Sequence, residues 1–170
     1  MTYPILKTTG KIVHYGEWKS KGGATTYAVI EVQTDAGLVE LKNVVGPTSA
    51  HRVVAALTDA TIMYSQGEGK GAPLVVWGVL DHETGRVFTS DDCINLRKST
   101  VALAIGQSVG MTIATLVGLC VFLIPGLLIG YSYYKTWQAA LAWPTSDDVN
   151  VALAALKTSK APVFAEAAMA

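Results

Sequence analysis

Residues 118–134 read GLCVFLIPGLLIGYSYY, and the fold turns on whether this run is a buried core element or a segment immersed in lipid. Pro125 and Gly126 interrupt the most apolar part of the chain, and no charge relieves it. The run belongs to a longer neutral stretch, since no formal charge occurs between Lys98 and Lys135. About 20 apolar residues suffice to cross the hydrocarbon core of a bilayer. A small soluble core helix, by contrast, keeps one face polar because that face meets water. The sequence therefore predicts a transmembrane helix.

Length sets its limits. At 1.5 Å per residue the whole neutral stretch would reach about 54 Å as a helix, against about 30 Å of hydrocarbon. Tyr131, Tyr133, Tyr134 and Trp137 surround Lys135, a grouping expected of an aromatic belt at headgroup depth. Counting back from this belt places the span at residues 111–137, with residues 96–110 as a helical lead-in. Pro125 predicts a kink, because proline removes one helix hydrogen bond and clashes near the carbonyl four residues earlier. The rival arrangement is a helical hairpin turning at Pro125 and Gly126. It would set Lys135 at mid-depth, at a cost of at least about 2.5 kcal/mol.

A second pattern lies in the same stretch. Ala102, Gly106, Gly110, Ala114 and Gly118 recur every four residues. On a helix they form a slanted groove of small side chains that lets another backbone approach closely. They are the expected helix-packing interface. Arg97 and Lys98 precede the run while only Lys135 closely follows it. The positive-inside rule then puts the N-terminal domain in the cytoplasm of a bacterial-type inner membrane.

Working outward, residues 1–95 read as short strands separated by turns. In TTYAVIEVQT (25–34) apolar and polar residues alternate with the period of two of a half-buried strand. KIVHYGEW precedes it, and LVELKNVV follows after the turn signal TDAG. GPTSAHRVVAAL changes period, with Thr48 or Ser49 as the expected N-cap of a short helix. TIMYS returns to strand, and PLVVWGVLDHETGRVFTS reads as a hairpin turning through Asp81 to Gly85. Three strands, a helix and further strands predict a small antiparallel β-barrel-like domain, closure being one way to protect sheet edges. This order resembles that of the OB-fold, which also places a helix between its third and fourth strands. The expected fold class is α+β: an OB-like domain, a transmembrane helix, and a short amphipathic helix with a frayed tail over residues 138–170. In that tail, Thr145 or Ser146 caps a helix with Asp147 and Asp148 in its first turn and Val149, Leu153 and Leu156 on one face.

The charge balance narrows the function. Thirteen Lys and Arg offset 13 Asp and Glu, and no segment is a polybasic or acidic tail. Charged residues make up 15% of the chain, against about 25% in ordinary soluble domains. MTYPILKTTGKIV lacks the apolar core of a signal peptide. Cys93 and Cys120 have no zinc-ligand spacing and are expected as reduced thiols. Asp81, His82 and Glu83 with Asp91 and Asp92 could offer oxygen and imidazole ligands to a metal, but DHETG is equally a solvated turn, so neither a metal nor a cofactor is implied. QGEGKGAP lacks the Ser or Thr and the following helix of a phosphate loop. Tyr15, Trp18, Tyr27, Tyr64 and Trp77 could stack bases, yet the domain's basic charge cancels, which disfavours nucleic acid as a partner. The expectation is a non-enzymatic inner-membrane scaffold or assembly subunit. Its partners would be the bilayer and further copies or subunits, with the barrel domain docking a soluble protein. The alternatives are a pore or transport subunit, or a membrane-tethered nucleic-acid or saccharide binder.

Overall fold

A computed structural model describes residues 2–69, 71–94, 97–105 and 123–158. The element order is β1 (Leu6–Tyr15), β2 (Trp18–Lys21), β3 (Ala24–Thr34), β4 (Gly37–Pro47), a 3-10 turn (Thr48–Ala50), α1 (His51–Ala56), β5 (Asp59–Gln66), β6 (Leu74–Asp81), β7 (Val87–Thr89) and α2 (Asp91–Ile94). These are followed by helical residues 97–105, α3 (Leu123–Ala142) and α4 (Ser146–Thr158).

The strands form one mixed sheet of seven in the order β1-β5-β6-β4-β3-β2, with β7 on β6. This corrects the expected antiparallel barrel, and the reason lies in the crossover through α1 and β5. The chain returns to β4 as a parallel neighbour, with Val44 opposite Leu74 and Val45 opposite Val75. β1 serves two partners. Residues Leu6 to Lys11 pair with β5, and Lys11 to Tyr15 pair with β3 across an irregularity between Ile12 and His14. Gly10 stands where the change occurs, and a Cβ there would lie 2.2 Å from the Gln33 carbonyl oxygen.

Both faces of the sheet centre are covered, which is why β6, LVVWGVLD, is buried along its entire length and reads as a continuous apolar run rather than an alternating one. One face joins Ile12, Tyr27, Ile30, Val32, Val44 and Ile62 to Val53 and Val54 of α1. The other joins Met63, Val75, Trp77 and Leu80 to Cys93, Trp143 and the α4 residues Val149, Leu153 and Leu156. Trp77 is wholly buried, and its indole N–H donates to Ser65 Oγ at 3.0 Å. Thus α4 packs on its own sheet. Its N-terminus is the capping arrangement the sequence implies: Asp148 N–H donates to Thr145 Oγ1, and Thr145 N–H and Oγ1 donate to Asp148 Oδ2 at 3.0 and 2.6 Å. At the first helix the expected caps fail. Thr48 Oγ1 accepts from Thr25, Ser49 Oγ donates to the Thr89 carbonyl, and α1 begins without a side-chain cap.

No helix among the described residues is long and apolar enough to cross a membrane. This corrects the transmembrane helix expected over 111–137. α3 has the length, 20 residues, but its second half carries Ser132, Lys135, Thr136 and Gln138. Residues 111–122 lie outside the described residues. The course of the chain also differs from a one-way passage. Ser99 and Thr100, at the start of the neutral stretch, and Trp143, just past its end, line the same cavity beside the sheet. The backbone is tied there too, as Tyr3 N–H donates to the Ala142 carbonyl at 2.7 Å.

Candidate functional site

Three features of the described residues could support a function. The first is an aromatic cluster at the β2 edge. Trp18 and Tyr27 are cross-strand partners, so their side chains share a face, and α1 begins with His51 above them. The Trp18 and His51 rings lie 4.2 Å apart, and Tyr15 stands edge-on to Tyr27 and His51 at 6.4 and 6.3 Å. Burial, and then the nearby Tyr15, push the Tyr27 phenol up to about 12. The Tyr27 hydroxyl and His51 Nδ1 are 2.9 Å apart, a hydrogen bond in which either group can donate according to the imidazole tautomer. Trp18 remains 46% exposed.

The second is a cavity of roughly 400 Å3 between the β4 and β6 pair and the helical segments, lined mainly by apolar groups including Val45, Pro73, Val75, Cys93 and Trp143. Cys93 is buried there, as expected of an unreactive reduced thiol. The third is the helical arm made of residues 97–105 and α3. Leu103, Ile105, Leu127, Leu128, Tyr131, Tyr134 and Leu141 are all exposed on it.

The residues singled out from the sequence fall as follows. Ala102 is exposed on the first arm helix. Gly106, Gly110, Ala114 and Gly118 lie outside the described residues, as does Cys120. The four belt aromatics divide between two sides of α3: Tyr131 and Tyr134 are exposed, while Tyr133 and Trp137 are half-buried. Lys135 Nζ sits 5.1 Å from the centroid of the Tyr131 ring and borders a cleft it shares with Glu68, Gln138 and Tyr3. Gln138 Nε2 donates to the Tyr134 hydroxyl at 2.5 Å. Pro125, where the kink was expected, lies near the start of α3, and residues 106–122, which precede this helix, are outside the described residues.

The acidic cluster is occupied by structure. Asp81 is buried, with Oδ1 accepting from Glu83 N–H and Oδ2 from Thr84 Oγ1 at 3.0 and 2.6 Å, while His82 Nε2 is 2.9 Å from Thr61 Oγ1. These bonds hold the turn of the β6 and β7 hairpin. Among the described residues no group of three or more His, Cys, Asp or Glu side chains could hold a metal ion. Compared with family models, curated proteins and solved structures, the chain matches none.

Sequence reasoning named Tyr15, Trp18 and Tyr27 among the aromatics that could stack bases but did not join His51 to them, because His51 lies on a helix well along the chain from all three. It missed the cavity for the same reason. The arm was visible as an apolar run, read as a lead-in over 96–110 and a span over 111–137, whereas Ser99 and Thr100 line a cavity beside the sheet.

Proposed function

We propose that this protein is a non-enzymatic assembly subunit. Its helical arm binds another protein chain, and its sheet domain, with the aromatic edge at Trp18, docks a second partner. One observation carries the reading: among the described residues, seven of the thirteen exposed large apolar side chains lie on residues 97–105 and α3. Contiguous exposed apolar surface on a folded protein marks an interaction site. The hydroxyl, imidazole and carboxylate groups of Thr61, His82, Asp81 and Thr84 are bonded in pairs, Thr61 with His82 and Thr84 with Asp81, beside the hairpin turn.

The test is the native size of the full chain fractionated from cells. The reading expects it in a particle larger than its own 17.9 kDa, shifted to smaller size when Leu103, Ile105 and Leu128 are replaced together by Gln. Recovery of the unaltered chain at monomer size refutes it.

A second reading has Trp18 behind it. A half-exposed indole beside Lys19 and Lys21 on an exposed edge strand is the pairing of stacking surface and cation that single-stranded nucleic acid uses. Binding of an oligonucleotide that weakens with salt and disappears in Trp18→Ala would favour it; no binding at low salt removes it.

A further inference from the structure

β2 ends the sheet. Among the described residues its strand partner is β3, and all four of its own residues are exposed. Alternate residues of such an edge strand point their N–H and C=O groups away from the sheet, where no ladder partner meets them. Gly22, at a φ of 62°, turns the chain directly back into β3, and Trp18, Lys19, Ser20 and Lys21 pair in unbroken register with Tyr27, Thr26, Thr25 and Ala24. Because successive side chains alternate, these pairs divide between two surfaces. Trp18 and Ser20 lie on the side of the buried Tyr27 and Thr25, with the Trp18 indole 4.2 Å from the His51 ring. Lys19 and Lys21 lie on the other side, and neither joins an ion pair among the described residues.

From this arrangement we infer that the outer edge of β2 takes up an extended acidic segment of a partner protein as an additional strand, with carboxylates opposite Lys19 and Lys21. The inference rests on the second docking partner of the assembly reading above and states its chemistry. An added strand alternates as β2 does, so one set of its side chains meets Lys19 and Lys21 while the other meets the Trp18 side. Opposite charges on neighbouring strands attract, and like charges repel. Lysines on an edge strand deter neutral strands and copies of the same edge. Here they select for carboxylates, since the repulsive element that excludes other strands is the attractive one for an acidic strand. Glu17 precedes β2 and borders a cleft with Lys19, so acidity is wanted opposite the two lysines and not beyond them. A nucleic-acid strand fits this geometry less well. It needs its stacking platform and its cations along one groove, whereas the indole and the ammoniums are on opposite surfaces of β2.

The probe is a blocked octapeptide that alternates glutamate with valine, titrated into the full-length chain and followed by calorimetry. Binding is expected for this peptide and not for its counterpart with lysine in place of glutamate. Lys19→Glu together with Lys21→Glu is expected to weaken the acidic peptide by roughly tenfold or more and to admit the lysine peptide instead. Circular dichroism of that variant separates lost binding from lost folding. A third peptide works on the unaltered chain: methylation of its backbone nitrogens removes the donors of the added strand, keeps the carboxylates, and should abolish binding. Equal binding of the acidic and lysine peptides, no binding of either, or undiminished binding of the methylated peptide overturns the added strand. Oligothymidylate that binds more tightly than the acidic peptide overturns it too, in favour of the nucleic-acid reading. The native size of the chain from cells reports on the arm separately. A large particle with no peptide binding keeps the assembly reading and overturns the acidic partner, and a chain of monomer size that binds the peptide does the reverse.

Discussion

Replacing Gly10 by Ala should disrupt the sheet where β1 passes from one partner strand to the other. The added methyl would stand 2.2 Å from the Gln33 carbonyl oxygen, 2.9 Å from its carbonyl carbon and 3.2 Å from Thr34 Cα, all backbone atoms that no rotamer change can move. Ordinary carbon to oxygen contacts are about 3.3 Å or longer, so β1 and β3 must separate by roughly 1 Å locally. The neighbouring pairs are Lys11 with Gln33 and Ile12 with Val32, and Ile12 and Val32 are wholly buried. Each ladder hydrogen bond lost costs about 0.5–1.5 kcal/mol, and strained packing at buried positions adds about 1–3 kcal/mol. A total near 3 kcal/mol corresponds to a fall in Tm of roughly 6–12 °C for a chain of this size. Gly16→Ala is the control, since its Cβ would meet the movable Val29 Cγ1 at 3.0 Å, at a cost of about 1 kcal/mol or less. Thermal unfolding followed by circular dichroism reads both variants. The reasoning fails if Gly10→Ala melts within 2 °C of the parent, or if Gly16→Ala falls as far.

The remaining predictions concern the two faces of the sheet. Leu153→Ala removes a buried contact between α4 and β6 and should cost about 2–5 kcal/mol, measured by urea unfolding and accompanied by faster proteolysis after Trp143. Thr145→Ala removes the cap of α4 and should cost about 1 kcal/mol; the Thr145 hydroxyl and amide hold the Asp148 carboxyl below its ordinary value, so the part of stability due to that carboxylate is present at neutral pH and is lost as pH falls through the lowered pKa, and this acid step should shrink in the variant. Tyr27 titrates in the opposite sense. Its phenol is raised from 10.0 to about 12 by burial, so the neutral form is favoured in the fold, and the associated stability is complete below pH 10 and lost as pH climbs towards 12. Urea midpoints across that window should lose this decline in Tyr27→Phe, and an unchanged decline would place its origin elsewhere.

Local pattern carried most of the strand and helix order. The alternation in 25–34, the TDAG turn, the hairpin through Asp81 to Gly85 and the Thr145 to Asp148 cap are all matters of near neighbours, and periodicity reports near neighbours well. What it could not report was which surface an apolar element meets. Leu153 and Leu156 were plainly one face of a helix, but only the fold shows that they meet Trp77 and Leu80, more than seventy residues away. The parallel contact of β4 with β6 was hidden for the same reason, because nothing in Val44 or Leu74 encodes strand direction. The arm failed differently. Thirty-six uncharged residues suggested lipid, whereas in α3 the distinction was finer, with Tyr131 and Tyr134 exposed and Tyr133 and Trp137 half-buried. Reading the tyrosines as a single belt merged two faces with different environments.

The most direct measurement is the native mass of the full-length chain fractionated from cells, by size-exclusion chromatography or native mass spectrometry. A particle larger than 17.9 kDa, reduced in size when Leu103, Ile105 and Leu128 are replaced together by Gln, is the predicted result. Recovery of the unaltered chain at 17.9 kDa would contradict it.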